Sequence, residues 1–472
     1  MSRRVFVLGG FNTPFIGKKH PDFIWKGHPD FGKRENPTLE ETITAAVRGA
    51  LEATGVEAAA VQKAWIGNFV GELFNNQGHL GAALVGAHPD LLFKPVMRVE
   101  GACASGGLAF ASAVESIRAG TDVALVAGAE VQTTASARQG GDYLARAAHY
   151  ARQRGIDDFT FPALFAWRTK HYREKFGVSE EDIGHVAVKA YANANKNPLA
   201  HMKAVRMDIE TAGSINPKNP AFLSNEDLNP FMKMSDCSQV SDGGSAILVV
   251  SEAGLKALGR SPSDAIELVG ISHVTGNLYE DGDPTKMEAT MVAAERVYAD
   301  AGIKPSDVQV AEVHDCFTIT ELLMYEALGF ADAGRGAELV KEGRTAIGGD
   351  IPVNTGGGLV GFGHPVGATG VKQILEIHRQ MKGQCGDYQV PGTPGVGLTV
   401  NMGGNDKTVV ASVFRNASRR RRGLRVPQPL VERSVHVVAH QPGERGLDLR
   451  DLPAQLACQH RVHTTQVVPT PA

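Results

Sequence analysis

The chain is short of several things, and each shortage excludes something. It has five cysteines with neither regular spacing nor a CxxC pair. That rules out a disulfide framework and a cysteine metal clip, and it fits a reducing compartment best. Neither sign of charge dominates: 48 Lys and Arg stand against 51 Asp and Glu, a net charge of -3. No broad basic field for nucleic acid or an anionic membrane is encoded. Long apolar runs are also lacking, since the most apolar stretch, 108–131, is interrupted by Glu115, Arg118 and Asp122 and cannot be a membrane span. The first ten residues hold too few apolar residues before Gly9 for a signal-peptide core, and the final Thr-Pro-Ala is not a peroxisomal signal. These readings predict a cytoplasmic protein with no nucleic-acid and no membrane partner. Hydrophobic residues at 43% with charged residues at 21% are those of a folded chain. Glycine is abundant: 54 of 472 residues, against an average of roughly 7%, so many positions require tight turns or close backbone approach.

A duplication organises most of the chain. Residues 38–54 read as an amphipathic helix with Ile43, Ala46, Val47, Ala50 and Leu51 on one face, followed by Gly55-Val56 and a strand over 61–67. The unit recurs as a helix over 288–301, Gly302-Ile303 and a strand over 308–314. Gly55 matches Gly302, Val61 matches Val308, Ala64 matches Ala311 and Ile66 matches Val313, all at one constant offset. A glycine-rich turn at 100–107, a helix and an apolar strand at 123–128 find a counterpart in the turn at 361–370, its helix and a strand at 396–400. Short apolar strands alternating with helices predict an α/β fold with mostly parallel sheets. Residues 132–240 lack the repeat and read as an inserted loop domain. The resulting organisation is 1–131 for the first part of the N-terminal half, 132–240 for the insertion, 241–262 for the returning strand and helix, and 263–415 for the C-terminal half.

From Asn416 onward there is no Phe, Trp, Tyr, Ile, Met or Lys, and Arg419 to Arg422 form a basic run. Such composition cannot bury enough apolar surface to order itself, so 416–472 is expected to be a disordered, dispensable tail. Its arginines are more often solvated than bound to nucleic acid or lipid.

Four motifs carry chemistry. Cys103 lies in Gly101-Ala-Cys-Ala-Ser-Gly-Gly107 after a strand and before a helix, where the helix end is expected to favour the thiolate; the plain alternative is a small core cysteine. His364, in Gly361-Phe-Gly-His-Pro365, occupies the corresponding place in the second half, from which a histidine can take a thiol proton. His314-Asp-Cys-Phe317 stands at the end of a strand, where α/β proteins assemble their sites; its Cys316 offers a proton carrier and its His314 a donor. Asn401-Met-Gly-Gly-Asn405 follows the last strand, and glycine there lets backbone N–H groups approach a substrate oxygen.

Together these motifs resemble the thiolase superfamily over residues 1 to about 415, and His314-Asp-Cys-Phe317 resembles the sterol-carrier-protein-2 type branch. The resemblance implies duplicated βαβ halves forming a layered α-β-α-β-α core with an inserted loop domain. It departs from most thiolases in having Asn401 where a late cysteine usually stands, and the branch it resembles uses Cys316 instead. The implied activity is acyl-CoA C-acyl transfer through a cysteine acyl-enzyme, in condensation of acetyl-CoA with acyl-CoA or in thiolysis of 3-ketoacyl-CoA. Cys103 would be the nucleophile, His364 its base and Cys316 the proton carrier. His314 and His364 would form one oxyanion hole, and the backbone of Cys103 with Gly403 or Gly404 the other. Acyl-CoA and CoA are the expected partners, with no metal or other cofactor, in a homodimer or homotetramer. The insertion would bind CoA, with Arg168 and Lys170 among its basic residues but unassigned, and Ser241-Asp-Gly-Gly-Ser245 would be a structural turn back into the core. A retro-aldol lyase and a non-catalytic acyl-CoA or lipid-binding protein on the same fold are the alternatives.

Overall fold

The computed structural model describes residues 3–416. Nine strands make one sheet: β1 (Val5–Asn12), β2 (Lys63–Gly67), β3 (Val96–Val99), β4 (Val123–Glu130), β5 (Gly243–Ser251), β6 (Ile266–Thr275), β7 (Val310–Glu312), β8 (Val396–Gly403) and β9 (Thr408–Asn416). Their order is β3-β2-β4-β5-β1-β6-β9-β8-β7, and the duplication shows in it. From the centre outward, β1-β5-β4-β2 mirrors β6-β9-β8-β7: the outermost pair of each set is parallel and the other two pairs are antiparallel. The halves meet where Val5–Val7 of β1 pairs with Ile266–Leu268 of β6.

The sheet is therefore mixed, where mostly parallel strands were expected. The reason lies in the connections. Only β2–β3, β2–β4 and β7–β8 are parallel. The chain leaves β4 into 131–242, which adds no strand to the sheet, and β5 comes back beside β4 in the opposite direction.

Seven helices matter here: α1 (Leu39–Thr54), α2 (Ser105–Arg118), α3 (Thr160–Phe176), α4 (Glu180–Ala194), α5 (Glu288–Ala301), α6 (Thr318–Ala327) and α7 (Thr369–Lys382). Thr38 and Glu41 cap the start of α1 reciprocally. The matched Gly55 and Gly302 end α1 and α5 at φ 63° and 64°, the left-handed turn that glycine adopts without steric cost.

Apolar burial sorts these helices into layers. Ile43, Ala46, Val47 and Ala50 of α1 pack on Phe6, Ile66, Leu125 and Leu248 of the first half. Ala293, Ala294 and Val297 of α5 pack on Leu398, Val400, Val409 and Val413 of the second. Between the halves, Ala109, Phe110, Ala113 and Ile117 of α2 share a cluster with Val371, Ile374, Leu375 and Met381 of α7 and with strand residues of both halves. This is the α-β-α-β-α arrangement. α7 is buried almost all round, including Lys372, Gln373, Glu376 and Gln380, so its polar groups must find partners inside. Lys372 Nζ lies 2.7 Å from Glu312 Oε2, and Gln373 Nε2 donates to Val400 O at 3.1 Å. The insertion lays Ala163 and Phe165 of α3 and Val186 of α4 in one cluster with Phe317 and with Leu322 and Tyr325 of α6.

Asn416, counted with the tail by composition, is the buried last residue of β9, and its N–H donates to Gly395 O at 2.9 Å. The rest of the expected tail lies outside the described residues. Among the described residues, no helix is long and apolar enough to cross a membrane.

Candidate active site

After β3 the chain kinks at Ala102, whose φ is +53°, a conformation that costs a non-glycine residue about 1–3 kcal/mol. Local hydrogen bonds hold the kink. The Ala102 N–H donates to Glu100 Oε1 at 2.5 Å, and the Ser105 hydroxyl donates to Ala102 O at 2.6 Å while accepting from Gly101 N–H at 3.1 Å. Cys103 sits in the single 3-10 turn Ala102–Ala104, directly before α2. It is half-buried, against a cluster of Phe69, Val70, Phe74, Ala102, Ala147 and Val366.

His364 comes from the turn that leads into α7. Its Nδ1 lies 2.6 Å from Thr369 Oγ1, and that hydroxyl donates to Pro365 O at 3.1 Å. A threonine hydroxyl that donates to Pro365 O accepts from the ring, and in that arrangement Nδ1 of His364 carries the hydrogen and Nε2 keeps a lone pair. The His364 backbone N–H donates to Ser241 Oγ at 3.2 Å, so the turn at 241–245 braces this histidine as well as returning the chain to the sheet.

His314 and Cys316 follow β7. Asp315 between them is buried and accepts the Leu359 N–H at 2.6 Å, which ties the His314 segment to the loop that precedes His364. Gly358, at φ +60°, makes that contact possible, since a Cβ there would lie 2.1 Å from Asp315 Oδ2. Cys316 is buried, with Thr320 Oγ1 3.8 Å from its Sγ.

The structure brings Cys103, His314 and His364 together. A side-chain donor atom from each lies within 4.8 Å of the others, and the two imidazoles meet edge to face with centroids 5.1 Å apart. Such a donor set suits a divalent transition metal as well as proton exchange between a thiol and an imidazole. Nε2 of each histidine is buried and has no hydrogen-bond partner among the described residues. Burial first, and then charge on Cys103, raise the pKa of Cys316. Close backbone approach makes the convergence possible. A Cβ on Gly106 would lie 2.9 Å from Gly370 N, one on Gly370 2.3 Å from Gly107 N, and one on Gly403 2.1 Å from Gly101 O.

The electrostatics differ from the sequence expectation. A helix end was expected to favour a Cys103 thiolate, yet burial pushes this thiol up to about 12, with the Gly404 amide pulling the other way. Burial likewise raises Cys316 well above the usual thiol range. It lowers His364 to about 3, and burial together with the neighbouring His364 holds His314 well below the usual imidazole range. The free site at neutral pH holds neutral thiols and neutral imidazoles.

Arg168, left unassigned from sequence, is buried: its Nε donates to Asn405 Oδ1 at 2.6 Å and its Nη1 to Lys286 O at 2.7 Å. It braces the chain after Gly404. Lys170 Nζ lies 5.9 Å from the Phe231 ring centroid. Three residues of the site were missed from sequence. Thr369 stands five residues after His364 at a helix start, a usable signal. Asp315 lies inside a motif already singled out. Asn401 opens the fourth motif and was noted as a departure, but its side chain was given no role, though it contacts Cys103, Gly107 and His314.

Comparison with known proteins places this arrangement. A family model for the thiolase N-terminal domain matches residues 29–253, and one described as thiolase C-terminal domain-like matches 270–416. An acetyl-CoA acetyltransferase of Methanothermobacter thermautotrophicus is 33% identical over 386 residues, covering 81% of this chain and 96% of that protein. Sterol carrier protein 2 of Rattus norvegicus is 30% identical, covering 86% of this chain and 71% of its own length. Among solved structures, the Ltp2-ChsH2(DUF35) aldolase superposes with a TM-score of 0.69 at 21% identity, covering 88% of this chain and 99% of that one. Human mitochondrial 3-ketoacyl-CoA thiolase in complex with CoA superposes at 0.64 and 16%, covering 88% and 98%. The chain belongs to the thiolase superfamily, in its sterol-carrier-protein-2 thiolase branch.

Proposed function

We propose that this protein is an acyl-CoA C-acyltransferase working through an acyl-enzyme on Cys103. The observation that carries the reading is the Cys103, His314 and His364 cluster, with donor atoms within 4.8 Å in a largely buried site. The Cys103 thiol passes its proton to Nε2 of His364 as the sulfur attacks the substrate carbonyl carbon. With an acyl-CoA thioester, the new C–S bond forms, the CoA sulfur leaves with the proton returned by His364, and the acyl group stays on Cys103. With a 3-ketoacyl-CoA, attack at C3 breaks the C2–C3 bond, and Cys316 protonates the acetyl-CoA carbanion that leaves. CoA then takes the acyl group from Cys103. In condensation Cys316 takes the α-proton instead. His314 and the protonated His364 would form one oxyanion hole and the backbone amides of Cys103 and Gly403 or Gly404 the other, and each such donor is worth about 10²–10³ in rate.

The competing reading is a retro-aldol lyase. Its support is the likeness to an aldolase, which at 21% identity concerns the fold alone. Retro-aldol cleavage has no use for an acylated cysteine.

Intact-mass spectrometry after mixing with acetyl-CoA separates the readings. Wild type is expected to gain one acetyl group on Cys103, Cys103→Ala none, and Cys316→Ala one that does not turn over, with condensation and thiolysis lowered about 10²–10⁴-fold. An unacylated wild type sinks the proposal. Near-normal turnover by Cys316→Ala means that another group carries the proton.

A further inference from the structure

Asn401 ends its role as a mere departure from pattern once its contacts are followed. It is buried near the end of β8. Its Oδ1 accepts the Gly107 N–H at 2.9 Å, and because a backbone amide can only donate, that contact fixes which end of the side chain is oxygen. The Nδ2 donates to Cys103 O at 3.0 Å and lies 3.3 Å from His314 Nδ1. An amide NH₂ has two protons and offers no acceptor. One proton goes to the Cys103 carbonyl, and the other can only go to a lone pair on His314 Nδ1, so the hydrogen of that ring sits on Nε2. The position has no slack: a Cβ on Gly107 would lie 2.8 Å from Asn401 Oδ1, and one on Gly370 2.3 Å from it.

We infer that Asn401 is a positioning residue that holds His314 in the Nε2–H tautomer. The site then receives two imidazoles in opposite states. With Thr369 donating to Pro365 O, His364 keeps a lone pair on Nε2, suited to take the Cys103 proton, while Asn401 gives His314 an N–H suited to bind a substrate oxygen. Among the described residues both Nε2 atoms lack a partner, as groups kept for a ligand would. Burial keeps both rings neutral near pH 7, which is the condition for a tautomer to matter. The tautomer rests on the hydrogen bonds alone, and its consequence for rate rests on the acyl-transfer reading above.

Asn401→Asp is the informative variant. A carboxylate can accept from Gly107 N–H and from His314 but cannot donate, so it turns the ring to Nδ1–H and removes the N–H that faces the substrate. The test records nitrogen-15 spectra of the full chain with labelled histidine at pH 7. The His314 signals among the 16 histidines are identified by their loss in His314→Gln. The Cys103 acetylation rate from acetyl-CoA is measured on the same samples. Wild type is expected to show Nε2–H on His314. Asn401→Asp is expected to show Nδ1–H and to acetylate about 10²–10³-fold more slowly. Nδ1–H on His314 in wild type overturns the inference whether or not the variant folds, and so does a variant that keeps both Nε2–H and the wild-type rate. Nε2–H in a wild type that takes up no acetyl group supports the positioning role and sinks the acyl-transfer reading instead.

Discussion

At the scale of single residues, two opposed influences act on Cys103, and their sizes decide its resting state. A helix N-terminus and the Gly404 amide favour the thiolate, but the end of a helix contributes typically 0.3–1 kcal/mol, whereas burial can shift a group by several pKa units at about 1.4 kcal/mol each. Burial wins, and the thiol stands at about 12. The thiolate is therefore expected only as substrate arrives and the proton moves to His364. Alkylation of the free enzyme by iodoacetamide reads this directly. The rate at Cys103 is expected to rise about tenfold per pH unit through pH 8 to 10, without the plateau near neutrality that a standing thiolate–imidazolium pair would produce. A plateau below pH 7 contradicts the uncharged resting site.

At the scale of elements, the site depends on how closely the starts of α2 and α7 approach each other and the end of β8. Gly403 shows the limit. A Cβ there would lie 2.1 Å from Gly101 O and 3.0 Å from Ala104 N, both backbone atoms that move only if the Cys103 turn moves. Gly403→Ala is expected to cost about 1–3 kcal/mol, as overpacking does, and to lower Cys103 acetylation sharply; urea denaturation and acetylation kinetics measure the two. An alanine variant with unchanged stability and rate would show that the turn is not clamped. The buried pair between α7 and β7 makes a second test. Lys372 Nζ and Glu312 Oε2 are 2.7 Å apart and nearly inaccessible to water, so Lys372→Met leaves a carboxyl buried without its cation. Breaking one side of such a pair typically costs 3–5 kcal/mol, and the double variant Lys372→Met/Glu312→Gln is expected to recover part of that loss in the same denaturation experiment.

At the scale of the whole molecule, buried thiols link stability to pH on the alkaline side. Burial raises Cys103 to about 12 and raises Cys237, Cys316 and Cys385 as well. A thiol whose folded pKa lies above its unfolded value keeps its proton longer in the native state. Between the two values the unfolded chain binds fewer protons, so stability falls as pH rises. The contribution is intact below about pH 9 and is lost progressively from there towards 12. Calorimetric melting temperatures are expected to decline above pH 9, and the decline is expected to be shallower in Cys103→Ala than in wild type.

The sequence by itself determined the repeat, the glycines that end α1 and α5, the interrupted first half and the four motifs. These are local matters: helical periodicity, a glycine at a left-handed helix end and small residues around a turn are set by neighbours along the chain. It also pointed to Cys103, Cys316, His314 and His364 as candidates by type and spacing, and the fold gathers donor atoms of Cys103, His314 and His364 within 4.8 Å of one another. The direction of β5 was not legible, since nothing in its residues records which way the insertion returns the chain. Nor were the charge state of Cys103 and the role of Asn401. The first depends on how much water the packed insertion and loops exclude, and the second on atoms brought together from positions 103, 107, 314 and 401, whose contacts exist only after both halves close around α2 and α7.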